Sequence, residues 1–404
     1  MSEIITSIDV GTTKICTFIA EVSDEGTISL LGAGCVRSEG LRKGVIVNVS
    51  AATQAITESI EMAEHEAGVT VRSAYVGIVG AHISSHNSTG AVAIPRGRSI
   101  TRHDIDRALD AARAIPVPSD RDIIHTIARS FKVDQQEGVQ EPIGMHAYRL
   151  EVDAHIITGA TTAINNLVKC VRSNGVAIEE LVLEPLASGE AVLTPDERDL
   201  GVVVVDMGGG TTDLAIYLEG SVWHTVVLDV GGDTLTRDLA MGLRTPFKTA
   251  EQVKIRYGHA QPEWIPEDDV VSAAAFGEVH SQNVSRRFIA EILEARSEEI
   301  LHMILREIRR SGYDGLLPAG VVLTGGSAQL QGLKELGRDV FRLPVRTGIP
   351  NSIQNVPRQY QAPAFACGLG LLLWGQRNDP YETSMPTTPT GLRLRQWLRS
   401  LLPG

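Results

Sequence analysis

Short apolar runs rich in β-branched residues, each stopping at glycine, alternate along the chain with longer stretches of helical periodicity. The run at 4–10 is too short for a helix and predicts a buried strand ending in a sharp turn at Gly11. Strands are predicted likewise over 28–36, 71–79, 223–230 and 321–326. Helices are predicted over 50–67, 162–173, 235–243, 249–257, 285–310 and 330–337, with Pro262 and Pro266 interrupting the second half. Strand and helix signals at 89–94, 101–114, 123–133 and 148–158 mark a small unit inserted between parts of a first lobe. The acidic, proline-containing stretch 194–200 marks the crossing into a second.

One pattern occurs twice. Residues 4–14 read IITSIDVGTTK and residues 202–213 read VVVVDMGGGTTD, an apolar strand running into aspartate, glycine and paired threonines. The repetition predicts two lobes facing one ligand. Gly11 in the first copy, and Gly208, Gly209 and Gly210 in the second, remove side chains where backbone amides must approach something closely. Thr12, Thr13, Thr211 and Thr212 add hydroxyl donors beside them. Such a surface suits phosphate. Asp9 and Asp206 at the strand ends would repel phosphate oxygens, so a cation between protein and anion is expected, hydrated Mg²⁺ above all. A single Asp-Gly-Thr turn is only a turn, whereas two facing copies describe a nucleotide clamp. Neither copy has the G-x-x-x-x-G-K-[ST] or G-x-G-x-x-G spacing, which disfavours P-loop and Rossmann folds. A third glycine turn closes VVLTGG, with Ser327 behind it, and glycine there lets something flat approach.

At 404 residues the chain exceeds the size at which one core keeps growing, so two or more domains are expected. Hydrophobic content of 43% and charged content of 21% fit a soluble globular protein, and the net charge of −12 argues against a nucleic-acid partner. Cys16, Cys35, Cys170 and Cys367 are dispersed with no C-x-x-C pair, so neither a zinc site nor a disulfide framework is indicated. Buried thiols in a reducing compartment are expected instead. The opening MSEIITSIDVG has no basic region, apolar segment or cleavage site, so no secretory signal is expected. The longest apolar stretch, 362–374, is too short to span a bilayer and contains Pro363, Gly368 and Gly370, which predicts a packed helix.

With 9–14, 206–213 and 325–327 in this order, the chain resembles the superfamily of actin, heat-shock chaperones and sugar kinases, whose two phosphate loops and adenosine loop match these segments. Within it, GLRKGVIVNV from Gly40, GGDTLTRDLA from Gly231, TAEQVKIRYG from Thr249 and VVLTGGSAQLQGL from Val321 resemble the FtsA family of actin-like bacterial cell-division proteins. The resemblance covers about residues 1–378. It implies an α/β actin-like ATPase fold of two lobes, each with a mixed five-stranded sheet and helices. The implied parts are a first-lobe core at 1–83 and 160–199, a family-specific insertion at 84–159, a second-lobe core at 200–234 and 305–377, and an upper subdomain at 235–304. A flexible linker at 378–390 and an amphipathic helix at 391–404 follow.

The same resemblance places Gly11, Thr12, Thr13 and Lys14 on the phosphates of ATP or ADP from one side, and Gly208, Gly209, Gly210 and Thr211 from the other, with Gly231 and Gly232 beside them. Asp9 and Asp206 would hold the Mg²⁺ water shell. Glu251 and Lys254 would reach ribose and base, and Gly325, Gly326 and Ser327 would line the adenine. Without the resemblance, Glu251 and Lys254, three apart on a helix, read as a surface ion pair. Glu184, in LEPLAS, falls near where superfamily ATPases position the attacking water, and hydrolysis is expected to be slow or absent, the primary role being structural.

In GLRLRQWLRSLL near the C-terminus, Leu394, Trp397, Leu398, Leu401 and Leu402 form one apolar stripe, flanked or opposed by Arg393, Arg395 and Arg399. A helix with three arginines and no acid, after a tether, suits anionic lipid better than its own domain. Each arginine near such a surface contributes about 1 kcal/mol, and each large apolar side chain about 1.5–3 kcal/mol if fully buried. Ordering the backbone costs about 1–2 kcal/mol per residue, so one copy binds weakly. Polymerisation would multiply weak anchors through effective concentration. The family resemblance implies that role: a head-to-tail filament at the cytoplasmic face of the bacterial inner membrane, tethering FtsZ filaments in the Z ring at the septum and recruiting later division proteins. Arg296, in the upper subdomain, is the candidate FtsZ contact, with an intrahelical pair to Glu299 as its alternative. The competing classes are an MreB-like scaffold or pilus-assembly ATPase, a sugar kinase, which gives the tail no role, and a chaperone, which requires a substrate domain not found after residue 378.

Overall fold

The computed structural model of the chain describes residues 3–274, 281–377 and 382–384. β1 (Glu3–Val10) and β2 (Lys14–Val22) are buried along most of their length, as strands of Ile, Val and Phe covered on both faces must be. After β3 (Ile28–Arg37) and a two-residue pair, β4 (Leu41–Arg42) and β5 (Val45–Ile46), the chain enters α1 (Val49–Ala67). Asn48 caps α1 by accepting the Ala51 N–H at 3.2 Å, and Gly68 ends it at φ 68°. Ala52, Ala55, Ile56, Ser59, Ile60 and Ala63 make its buried face against β2 and β3. β6 (Ser73–Ile78) closes the first pass through the lobe.

An insertion follows: β7 (Ser84–Ala93), α2 (Arg102–Ala112), β8 (Arg121–Val133), β9 (Gln136–Val139) and β10 (Arg149–Ala160). The chain then returns through α3 (Thr161–Arg172), β11 (Ala177–Leu183), α4 (Glu184–Val192) and α5 (Pro195–Leu200). The second lobe comprises β12 (Val202–Met207), β13 (Thr212–Leu218), β14 (Ser221–Leu228), α6 (Gly232–Gly242), α7 (Phe247–Tyr257), β15 (Val270–Ala274), β16 (Ser281–Ser285) and α8 (Arg286–Ser311). It ends with β17 (Gly320–Thr324), α9 (Leu333–Phe341), β18 (Val345–Thr347) and α10 (Ala366–Gln376), and β19 (Glu382–Ser384) comes last.

The two large sheets share one wiring. In the first lobe the order is β3-β2-β1-β6-β11, and in the second β14-β13-β12-β17-β18; each joins two antiparallel pairs to two parallel ones. The repeated sequence therefore marks repeated hairpins: β1–β2 and β12–β13 carry Asp9 and Asp206 at matching places before the turn. Between the lobes α4 crosses α10 so closely that a Cβ at Gly370 would lie 1.8 Å from the Ala187 carbonyl oxygen. Glycine is required there.

The insertion forms its own sheet, β19-β8-β10-β7 with β9 on β8, over a core that includes Ile105, Leu109, Phe131 and Leu150. Although it leaves and rejoins the first lobe, it also packs on β14 of the second. Ser85 Oγ donates to the Thr225 carbonyl at 2.8 Å, and buried His155 bridges Asn87 Oδ1 (2.7 Å) and Thr225 Oγ1 (2.9 Å). The Arg129 guanidinium lies 4.1 Å from the Trp223 ring centroid.

Four local expectations change. Cys16 and Cys35, 19 residues apart, face each other on β2 and β3 with Cα atoms 4.2 Å apart and are joined as a disulfide, not left as free thiols. Strand register, invisible in cysteine spacing, brings them together. Residues 194–200, expected only as the crossing between lobes, carry a short helix, Pro195–Leu200, with Thr194 and Glu197 forming a reciprocal capping box. Within the expected linker 378–390, Glu382–Ser384 pairs antiparallel with β8. The helix expected over 362–374 begins only at Ala366, because Pro363 sits in a preceding 3₁₀ turn. Among the described residues no helix is long and apolar enough to cross a membrane.

Candidate functional site

The two repeated turns meet face to face. A Cβ at Gly209 would lie 2.2 Å from Thr13 Cγ2, and one at Gly210 would lie 2.6 Å from Thr12 Oγ1. The first turn is closed by the Gly11 N–H donating to the Lys14 carbonyl at 3.1 Å, and Thr12 Oγ1 accepts the Gly44 N–H at 2.9 Å. Carbonyls of the second turn anchor the start of α6: Gly208 O accepts the Gly232 N–H (2.9 Å) and Gly209 O the Asp233 N–H (2.8 Å). Ser327, from the third glycine turn, donates to the same Gly208 carbonyl at 2.9 Å. All three turns thus converge, with Gly231 packed on the Gly208 and Gly209 carbonyls and Gly325 against Asp206.

Beside them opens a cavity of about 410 Å³, within the roughly 300–1,000 Å³ of small-molecule sites. Its wall includes Thr13, Gly209, Gly232, Glu251, Lys254, Gly326 and Ser327, seven positions taken from the sequence. Lys254 Nζ pairs with Glu251 Oε2 at 2.8 Å and also donates to the Gly232 carbonyl (3.0 Å) and Thr236 Oγ1 (2.7 Å). The pair is therefore a wall of the cavity and not only a surface ion pair. Asp233, Leu235, Ile255, Gly258, Gln329, Leu330 and Gln331, to which sequence reasoning assigned no role, complete the lining. Leu235, Ile255 and Leu330 add apolar side chains to this lining, as a site for a flat ring requires.

Beneath the turns lies a buried charged cluster. Asp9, Glu184, Asp206 and Asp213 are each at most 8% exposed, and Lys14 Nζ approaches Asp9 Oδ2 at 3.4 Å. Burial pulls the Lys14 ammonium down, but Asp9, Cys367 and Asp206 outweigh it and its pKa is raised. Burial, with Asp9 nearby, pushes Asp206 up to about 6, against a lowering hydrogen bond from Ser188 Oγ. Burial, then Asp9, Asp213 and Asp206, holds Glu184 well above the usual carboxylate range, and burial with Asp206 does the same to Asp213. Glu184 Oε1 and Asp213 Oδ1 are buried without a hydrogen-bond partner. Carboxyls raised by burial and by one another, with unpartnered oxygens, form a donor set that fits a hydrated divalent cation. Ser188, Asp213 and Cys367 belong to this cluster; only Asp213 lay within the repeated motif, where its strand position opposite Asp206 was a signal.

Two other candidates lie elsewhere. Arg296, on α8, is held by Asp238 of α6 and by Glu299, so the intrahelical pair forms and the guanidinium is already partnered. Arg393, Leu394, Arg395, Trp397, Leu398, Arg399, Leu401 and Leu402 lie outside the described residues.

Residues 203–370 match the family model for the cell division protein FtsA, and residues 80–158 match that of the SHS2 domain inserted in FtsA. The cell division protein FtsA of Pseudomonas aeruginosa is 41% identical over 408 aligned residues, covering 98% of both chains. The chain belongs to the FtsA family. The Escherichia coli K12 relative is 32% identical, again over 98% of each chain. The SHS2 match coincides with the insertion built on β7, β8 and β10. Solved structures give the fold alone. A PilM–PilN type IV pilus biogenesis complex superposes with a TM-score of 0.68 at 17% identity, covering 93% of this chain and 99% of that one. MreB5 of Spiroplasma citri bound to ADP gives 0.53 at 14%, over 91% and 94%. This FtsA-family chain is thus a cell-division protein with an actin-like ATPase fold.

Proposed function

We propose that the chain binds ATP or ADP with Mg²⁺ between its lobes, polymerises head to tail, and tethers FtsZ filaments to the cytoplasmic face of the inner membrane at the division septum. The observation that supports it best is the convergence of three glycine turns, one from the first lobe and two from the second, on one cavity above a buried carboxyl cluster. In this reading Thr12, Thr13, Lys14, Gly210 and Thr211 hold the phosphates, and Asp9 and Asp206 hold the Mg²⁺ water shell, so that the ion supplies the positive charge that phosphate and carboxylate both need. Glu251 and Lys254 reach ribose and base, and Gly325, Gly326 and Ser327 line the adenine. Glu184 would orient a water, and turnover is slow or absent, the primary role being structural. Later division proteins join the assembled filament.

The C-terminal helix supplies the anchor. Its apolar stripe enters anionic lipid while Arg393, Arg395 and Arg399 meet the headgroups. Full-length chain is expected to pellet with anionic vesicles and to do so more completely with Mg²⁺-ATP, and a chain ending at Asn378 to remain in the supernatant. Pelleting of the truncated chain would remove the helix from the proposal. For Arg296, charge reversal that leaves FtsZ binding unchanged would remove it as a contact.

A further inference from the structure

One ligand set in the carboxyl cluster is chemically unlike a Mg²⁺ site. A carboxylate oxygen from Asp9, one from Glu184 and the Cys367 sulfur lie within 4.8 Å of one another. They come from three separated elements: β1, the first turn of α4 and the second residue of α10. All three residues are buried, at 3%, 8% and 5% exposure. Glu184 Oε1 has no hydrogen-bond partner. Opposite lies Gly77, where a Cβ would sit 3.5 Å from Cys367 Sγ and 3.6 Å from Glu184 Oε1, so both atoms border the same small space.

Mg²⁺ takes hard oxygen ligands and makes no use of a thiolate. Zn²⁺ binds sulfur at about 2.3 Å and carboxylate oxygen at about 2.0–2.2 Å. In a tetrahedron these bonds put ligand atoms roughly 3.5 Å apart, within reach of the present set after a small closure. Three protein ligands leave a fourth position for water or a phosphate oxygen.

We propose that Asp9, Glu184 and Cys367 form a site for a borderline-soft divalent cation, Zn²⁺ above all, which competes with Mg²⁺ and its nucleotide for Asp9. Binding forms a metal–sulfur bond and releases the thiol proton to solvent. The site shares Asp9 with the proposed nucleotide site and deepens that reading, but it needs no nucleotide to fill. The other cysteines are engaged: Cys16, opposite Asp9 across the β1–β2 pair, is joined to Cys35, and Cys170 donates to the Val49 carbonyl at 3.7 Å.

Co²⁺ is the spectroscopic probe. Titrated anaerobically, without nucleotide or reductant, into the full-length chain, it is expected to produce a sulfur-to-cobalt charge-transfer absorption that saturates at one equivalent. Zn²⁺ should abolish the band at about one equivalent, whereas Mg²⁺, competing for Asp9 alone, should weaken it only in large excess. Cys367→Ser should lose it and Cys170→Ser keep it. Glu184→Gln retains the thiol and should weaken Co²⁺ by about tenfold or more, since loss of even an outer-shell partner costs that much, which keeps the test decisive if the cysteine variant misfolds. No band in the native chain, a band that survives Cys367→Ser, or unchanged Co²⁺ affinity in Glu184→Gln overturns the proposal. Displacement of a fluorescent ATP analogue by Zn²⁺ is read separately. A cobalt band without analogue binding defeats the nucleotide reading alone, and analogue binding without the band defeats the zinc site alone.

Discussion

Gly209→Ala probes the meeting of the lobes with a single methyl. The backbone at Gly209 is not left-handed, so φ does not oppose alanine; space does. The new Cβ would lie 2.2 Å from Thr13 Cγ2 and 3.3 Å from both Thr13 Cβ and Oγ1. Carbon atoms rest about 3.5–4.0 Å apart, so the overlap exceeds an ångström and falls on one methyl of the opposite lobe. Overpacking of this kind costs about 1–3 kcal/mol, and because parting the turns relieves it, the cost appears in closure around a ligand. At 1.4 kcal/mol per decade, Mg²⁺-ATP affinity should fall by about 5- to 150-fold. Thr13→Ser deletes the clashing methyl and keeps the hydroxyl, so Gly209→Ala/Thr13→Ser should recover most of the loss. Calorimetric titration of native, single and double variants measures the coupling as a double-mutant cycle. Native affinity in Gly209→Ala, or a double variant no better than the single one, would refute contact between the turns as the source of closure.

Two further outcomes follow from buried titrating groups. The Asp206 carboxyl is raised from 3.8 to about 6 by burial and Asp9. The folded chain therefore holds this proton more tightly than the unfolded one, and stability is lost as pH rises through this window. At 1.36 kcal/mol per pKa unit the loss is about 3 kcal/mol. Metal-free native protein should lose about that much more than Asp206→Asn between about pH 4 and 6.5 in urea melts, and parallel curves would contradict it. His155 behaves oppositely: burial, then His224 and Arg129, holds its pKa well below 6.5, so its contribution is full above that pH and lost on acidification. His155→Gln should cost about 1–3 kcal/mol near pH 7.5 through its buried partners. The gap should narrow below about pH 6, and one constant across the range would exclude a neutral buried imidazole.

Much of the site was legible because it is local. Asp9, Gly11, Thr13, Asp206 and Gly209 announce themselves by recurring in a fixed order after a strand, and a hairpin turn is specified by its own few residues. The parts that escaped are assembled by packing over long separations. Cys367 meets Asp9 only because Gly370 lets α10 settle on α4, and Ile255, Gln329 and Gln331 share a cavity only once α7 and the third turn are docked. The Cys16–Cys35 pairing needed a strand register, which cysteine spacing does not encode. Element types were clear where periodicity ran long, as in α1 and α8, and blurred where proline or a capping box set the boundary, as before α10 and in α5.

The insertion is rooted in one half of the molecule and fastened to the other. Its root is stiff, since the Arg121 guanidinium binds the His82 and Thr158 carbonyls, both at 2.9 Å, across the two chains that enter and leave. Its far attachment is polar, through Ser85, His155 and Thr225. Any swing of the halves must bend that root or slide that attachment. Were nucleotide to close the lobes as proposed, the subdomain would act as a lever arm whose tilt reports, on the outside of the molecule, how far the jaws have shut.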